Sequence, residues 1–135
     1  MTVQNSTAVR NAMLDAIETA IGTSAKLQIW TGSVPANCAA ASTGTKLIEI
    51  SMASDWAAAA SGGSKAFNGV PLSTTALAAG TCGYYRITDS AGTTCHEQGT
   101  VTATGGGGDM TIDNAVLASG QTVQVTGFTK TAPGA

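Results

Sequence analysis

This sequence predicts a mainly β fold, an antiparallel β-sandwich preceded by one N-terminal α-helix. Three observations carry that expectation. Apolar and polar residues alternate in short runs, the period of a half-buried strand. Turn-forming clusters separate the runs, and glycine alone supplies 17 of the 135 residues. A single stretch near the N-terminus has the 3.6-residue period of an amphipathic helix. About seven short strands punctuated this often match a sandwich. The length fits one domain over residues 1–135, with the sandwich expected at 25–130.

The helix is expected over 7–21. Val9, Met13, Ala16, Ile17, Ala20 and Ile21 make one apolar stripe, with Arg10, Asn11, Asp15, Glu18 and Thr19 mostly on the other side. Asn5 or Ser6 caps its first turn, and Gly22 stops it. Residues 1–5 have no pattern and read as a flexible arm. After Gly22 the period changes to two. Lys26–Trp30 is a strand with Leu27 and Ile29 on one face; Lys46–Met52 is a second, with Ile48, Ile50 and Met52 together. The intervening residues 36–45 are small and polar, a loop that carries Cys38. Residues 54–64 predict a short alanine-rich turn capped by Asp55, ended by Gly62-Gly63. Asn68-Gly69 marks a turn, and Val70-Pro71-Leu72 a short edge strand. Cys82–Asp89 and Thr94–Ala103 form a hairpin around Asp89-Ser90-Ala91-Gly92. Asp109–Asp113 and Gln121–Thr129 are the last strands. Phe128 falls out of phase with Val123 and Val125, so Gly127 is expected to be a bulge that re-aims it.

Composition excludes several kinds of function. Net charge is −2, with six scattered Lys and Arg residues, so no basic patch exists to neutralise phosphates and no nucleic-acid partner is expected. No run of about 20 apolar residues exists, so no membrane span is expected. The first residues lack the basic and apolar regions of a secretory signal, which points to folding in a cytoplasm. In that setting the acceptor pattern Asn5-Ser6-Thr7 goes unmodified. Much of the apolar 43% is alanine and only 4% of residues are aromatic. The core is therefore thin, and further burial in an oligomer or assembly is expected.

Three cysteines, Cys38, Cys82 and Cys95, make an odd count, against a disulfide framework. The hairpin turn leaves Cys82 and Cys95 offset along the ladder. Free, partly buried thiols are the expectation.

Reactive groups are few and do not converge. The one histidine, His96, neighbours Glu97, but adjacent strand residues point to opposite faces. Asp109 and Asp113 share a face near the glycine run, without the spacing of a calcium loop. Gly105-Gly106-Gly107-Gly108 lacks the following Lys-Thr of a phosphate loop and reads as a flexible connection. No Gly-x-Ser-x-Gly elbow occurs. The chain is therefore expected to be no enzyme, with no catalytic residue, metal or cofactor. The aromatic residues carry more. Tyr85 and Ile87 share one strand face, Tyr84 and Arg86 the other, and Trp30 lies opposite Leu27 and Ile29. If Tyr85 and Ile87 are core, then Trp30, Tyr84 and Arg86 face outward, and these residue types are enriched at interface hot spots. The other reading has the N-terminal helix covering that face. Trp56 and Phe67, in long loops, are local anchors or contact points. The candidate interface set is Trp30, Trp56, Tyr84 and Arg86.

Several motifs recur in a characteristic order: Lys26-Leu27-Gln28-Ile29-Trp30-Thr31-Gly32 with Pro35, Tyr85-Arg86-Ile87-Thr88-Asp89-Ser90-Ala91-Gly92, Gln98-Gly99-Thr100-Val101, Gly105-Gly106-Gly107-Gly108-Asp109-Met110 and Gly120-Gln121-Thr122-Val123. This order, over most of residues 8–130, resembles the jelly-roll cement (head decoration) proteins of tailed bacteriophages of the podophage type. The resemblance implies a sandwich of jelly-roll type that binds the assembled major capsid protein on the outer surface of the virion. Its copies would clamp neighbouring capsid subunits against the pressure of packaged DNA. It implies a protein made in the host cytoplasm and a homo-oligomer, a dimer rather than a trimer. A small phage tail or host-recognition module of β-sandwich type is the alternative.

Overall fold

The computed structural model describes residues 3–69 and 72–134. Its helix, α1, spans Thr7–Ile21, the bounds predicted. The Ser6 hydroxyl accepts from the Val9 N–H at 3.2 Å, and Gly22, at φ 89°, donates its N–H to the Glu18 carbonyl. Those contacts satisfy groups that a helix end otherwise leaves open. The buried face, however, shares only Ile17 and Ile21 with the predicted stripe. Arg10, Leu14 and Ile21 are buried and Ile17 partly so, whereas Val9 and Met13 are 46% and 42% exposed. Ala16 and Ala20 are exposed as well. The reason is polar. Arg10 donates from Nε and Nη2 to the Ala132 carbonyl, Asn11 accepts from the Gly63 N–H, and Asp15 accepts from the Ala60 N–H. These bonds turn the helix's mixed face inward.

Among the described residues ten strands follow: β1 (Lys26–Thr31), β2 (Lys46–Ser51), β3 (Ser64–Ala66), β4 (Leu72–Thr75), β5 (Gly80–Thr88), β6 (Cys95–Ala103), β7 (Met110–Ile112), β8 (Val116–Leu117), β9 (Thr122–Gly127) and β10 (Thr129–Thr131). The main sheet runs β2-β1-β5-β6-β7-β9-β4, with β8 beside the start of β5, and β3 pairs with β10 in a separate ribbon. Just beyond β4 the Leu77 N–H donates to the Leu47 carbonyl of β2 at 2.7 Å. That bond brings the two ends of the sheet together. The protein is mainly β with one N-terminal helix, as predicted, but its main sheet is mixed and nearly closed, barrel-like, where an antiparallel sandwich was the expectation.

The mixed character comes from β6 and β7, which pair in parallel. Parallel neighbours usually need a crossover of a dozen or more residues; here the chain returns through residues 104–109. The glycine run makes this possible. Gly105 and Gly107 have φ of 88° and 82°. A Cβ on Gly106 would lie 2.7 Å from the Thr102 side chain, and one on Gly108 2.9 Å from it. The Gly108 N–H donates to Thr102 Oγ1, and Asp109 Oδ2 accepts from both the N–H and the hydroxyl of Thr100. The four glycines thus form a folded, hydrogen-bonded reversal, and not the flexible connection expected.

Other departures are local. Residues 54–64 make no helical turn; Ala57 bridges to Phe67 and Ser61 to Ser64, leading into β3. Of the expected strand at 70–72, Val70 and Pro71 lie outside the described residues, and Leu72 begins β4. The 82–103 hairpin forms as predicted, with Thr88 opposite Cys95 and the Asp89 side chain accepting from the N–H groups of Thr93 and Thr94. Cys82 instead faces Thr31. A register shift on β9 before Gly127 accompanies the turning of Phe128 into the core, against Phe67 and Tyr85.

Inside the sheet lie Leu27, Ile29, Ile48, Ile87, Met110, Ile112, Val123 and Val125, all nearly or wholly inaccessible. Cross-strand partners share a face, so Ile29, Ile48 and Tyr85 form one layer with Leu27 and Ile87.

Candidate functional site

The opposite face of β1 and β5 carries three of the residues predicted to look outward. Trp30 faces Tyr84 in register, and Gln28 faces Arg86. The alternation is as the sequence indicates, but the face is covered. Tyr84 is fully inaccessible and Arg86 is 4% exposed. What covers them is the 32–45 loop, not the helix. Tyr84 Oη accepts from the Thr43 N–H at 2.9 Å and donates to the Thr43 carbonyl at 2.7 Å. Arg86 Nη2 donates to the carbonyls of Ala40 and Asn37, and Gln98 Nε2 to that of Pro35. A loop of small residues has little apolar surface to bury, so the sheet grips its backbone carbonyls. Trp30, half-buried, stacks on the Tyr84 ring at 6.4 Å and 7°.

The seam is incomplete. Trp30 Nε1, Arg86 Nε and Gln98 Oε1 are buried and find no hydrogen-bond partner among the described residues. At its edge two thiols meet: Cys95 Sγ, at the start of β6, lies 2.7 Å from Cys38 Sγ in the loop. Burial first, then the S–H bond donated to Cys38, push the Cys95 thiol up to about 12. Cys82, on β5, is buried apart from them and pushed up to about 11 by that burial.

Trp56 is not a surface contact point. It is 4% exposed, packs edge-on against Phe67, and donates Nε1–H to the Gly22 carbonyl, which ties the C-terminus of α1 to the core.

Two concave surfaces stand out among the described residues, neither legible from spacing. One is a groove of about 270 Å³ between α1 and β6, lined by Met13, Ala16, Ile17, Ala20, Ile21 and His96. Alanines on the helix make it shallow, and the bare apolar stripe of α1 forms its wall. His96 is exposed at its rim. The other is a polar cleft of about 460 Å³ bordered by Tyr85, Glu97, Gln98, Asp109, Phe128 and Lys130, among others. Inside it the Tyr85 hydroxyl donates to Glu97 Oε2 at 2.8 Å, and Lys130 pairs with Glu97 Oε1. Burial, and next the Glu97 charge, raise the Tyr85 hydroxyl far above its ordinary range. Tyr85 is therefore a hydrogen-bond donor at any physiological pH, and Glu97 is committed to two internal partners. The cleft can accept a polar molecule that carries no negative charge: Lys130 offsets Glu97, and the Asp109 side chain, bonded to Thr100, adds a second acid against that one base.

Asp109 and Asp113 do not converge. Asp109 holds Thr100, and Asp113 Oδ1 accepts from the Gln124 N–H. Among the described residues no three His, Cys, Asp or Glu side chains are placed to share a metal ion, and no helix is long and apolar enough to cross a membrane. No protein-family model, curated protein or solved structure matches this chain.

Proposed function

We propose that the chain is a structural virion protein, a cement protein that binds the outer surface of a bacteriophage head and clamps neighbouring major capsid protein subunits. The observation that carries this reading is the outward face of α1. Val9, Met13, Ala16 and Ala20 are left in solvent by a helix that docks through a mixed face of Arg10, Leu14, Ile17 and Ile21. A helix face of this kind is a surface awaiting another protein. The motif order that resembles cement proteins supplies the identity of that protein, the assembled shell. Each contact is modest, and repetition over the shell multiplies the effect. A symmetric dimer would present the same stripe from both copies. The jelly-roll relationship belongs to this proposal too; what supports it is the motif order together with a mainly β chain that carries one N-terminal helix. In this reading the protein acts by contact, without cofactor or catalytic step, after synthesis in the host cytoplasm.

The test is co-sedimentation with assembled shells and with dissociated capsid protein. Binding to shells alone, and less DNA release on heating, is the expected result. Shells equally heat-stable with and without the protein would remove the proposal. A tail or host-recognition module is the second reading, and the polar cleft favours it. It predicts binding of a neutral glycan that is lost in Lys130→Ala, and labelling at a single vertex of the particle.

A further inference from the structure

We propose that Cys38 and Cys95 are a disulfide-forming pair, and that their bond latches the 32–45 loop over the β1–β5–β6 face. The two sulfurs lie 2.7 Å apart, closer than unbonded sulfurs rest against each other and a small rotation from the ~2.05 Å of a bond. Both residues are half-exposed, so an oxidant reaches them, while the third cysteine, Cys82, is buried on the sheet and faces Thr31. The odd count therefore resolves into one pair and one enclosed thiol.

The loop is the element that gains from a covalent tie. It is held by hydrogen bonds to backbone carbonyls and by one tyrosine, and the face beneath it keeps three buried polar atoms without a partner among the described residues. A seam of that kind opens readily. The crosslink joins residues 57 apart in sequence and would fix the loop at its middle.

The chemistry balances with a low-molecular-weight disulfide as oxidant. The Cys38 thiolate attacks one sulfur of the reagent, releasing one reagent thiol and leaving a mixed disulfide. The Cys95 sulfur then attacks Cys38 Sγ and expels the second reagent thiol. Two cysteine thiols lose two protons and two electrons, and the reagent disulfide gains them. Burial first, and then the hydrogen bond it donates to Cys38, make Cys95 a poor thiolate in the reduced protein. The mixed disulfide removes that hydrogen bond, and the Arg86 charge, which favours the thiolate, remains beside it. The bond would stay open in a reducing cytoplasm and close on release into an oxidising medium.

The full chain is purified reduced, exposed to oxidised glutathione while folded, and its free thiols counted by alkylation and mass spectrometry. Wild type and Cys82→Ala should each lose two thiols, with a Cys38–Cys95 peptide in the non-reducing digest. Cys38→Ser and Cys95→Ser should form no internal crosslink. Oxidation should raise Tm by roughly 10 °C, reversed by dithiothreitol, and slow exchange of the Thr43 amide at least tenfold. A crosslink through Cys82, a stable glutathione adduct, or three free thiols after oxidation would overturn the proposal. If a serine variant fails to fold, the wild-type digest alone decides: the 38–95 peptide is present or the proposal fails.

Discussion

Tyr84 joins two parts of the chain through one hydroxyl, accepting from the Thr43 N–H and donating to its carbonyl. Tyr84→Phe keeps the ring and its stack on Trp30 but removes both bonds. Each such bond contributes about 1 kcal/mol net, and Thr43 is exposed enough to rehydrate. Urea denaturation should therefore show a loss of about 1–2 kcal/mol, with faster exchange at Thr43. A loss within error would mean that the loop adds nothing to stability. Strand alternation sorted Tyr84 and Arg86 from Tyr85 and Ile87 correctly, because a period of two fixes the face. It says nothing about what lies over that face. The loop over it is made of residues such as Ala40 and Ser42, and its hold depends on backbone carbonyls, which carry no sequence signal. The Cys38–Cys95 approach was hidden for a related reason. Counting cysteines ignores which of them the fold sequesters, and here it sequesters Cys82.

At the scale of elements, α1 shows how bounds and facing part company. Its caps are local, so Ser6 and Gly22 made the ends legible. Its docking is not local. Lys65 of β3, buried, reaches Asp15 and Glu18 at 2.7 Å each, and Arg10 reaches the C-terminal segment. An apolar count that scores alanine as core material therefore placed Ile17 and Ile21 correctly but Val9, Met13, Ala16 and Ala20 on the wrong side. Burial works against the Lys65 charge, but Asp15 and Glu18 outweigh it and raise its pKa. The hydrogen bond from Lys65, then that from the Ala60 N–H, hold Asp15 below its ordinary value. The folded carboxyl is thus more acidic than the unfolded one, so its contribution is present above the unfolded pKa of about 3.9. It is lost as pH falls through the folded value. Lys65 has the opposite sign: its contribution is complete at neutral pH and disappears only above its ordinary alkaline value. Thermal unfolding of wild type should fall off below about pH 4. Asp15→Asn, which keeps an oxygen for Ala60, should show a shallower acid limb. Part of the slope will persist, because Glu49 and Asp89 are also held low, by the Lys46 hydrogen bond and the Thr93 N–H respectively. An unchanged acid limb in Asp15→Asn would count against the ion pair as the docking element. The β6–β7 reversal makes a second prediction at this scale. Gly106→Ala places a Cβ 2.7 Å from the Thr102 side chain. Overpacking of that kind should cost about 1–3 kcal/mol in thermal unfolding; a freely flexible glycine linker would absorb the methyl at no cost.

For the whole molecule, most strands could be placed from sequence, since each is a local pattern. Their assembly could not. The parallel β6–β7 pair, the β4–β9 pair and the Leu77–Leu47 bond that nearly closes the sheet join segments that share no sequence feature. The Leu77–Leu47 bond brings the β2 and β4 edges of the sheet near each other without pairing them in a ladder. In the proposed reading, the outward face of α1 is the surface that meets the capsid shell. The helix therefore carries two stripes that substitution should separate. Leu14 is 3% exposed, and Leu14→Ala should cost about 2–5 kcal/mol, read as a lower denaturation midpoint. Val9→Glu with Met13→Glu replaces exposed side chains at i and i+4. It should alter stability by only about 0.5 kcal/mol. The two added charges stand one turn apart on the surface that would have to desolvate against a partner, so binding to assembled shells should fall by at least about tenfold, a differential of about 1.4 kcal/mol. Sedimentation of the double variant with shells, beside its melting curve, reads both quantities at once. Full binding with unchanged stability would place the contact elsewhere on the molecule. A destabilised double variant would mean that the stripe is part of the fold after all, and that α1 has no free face to offer.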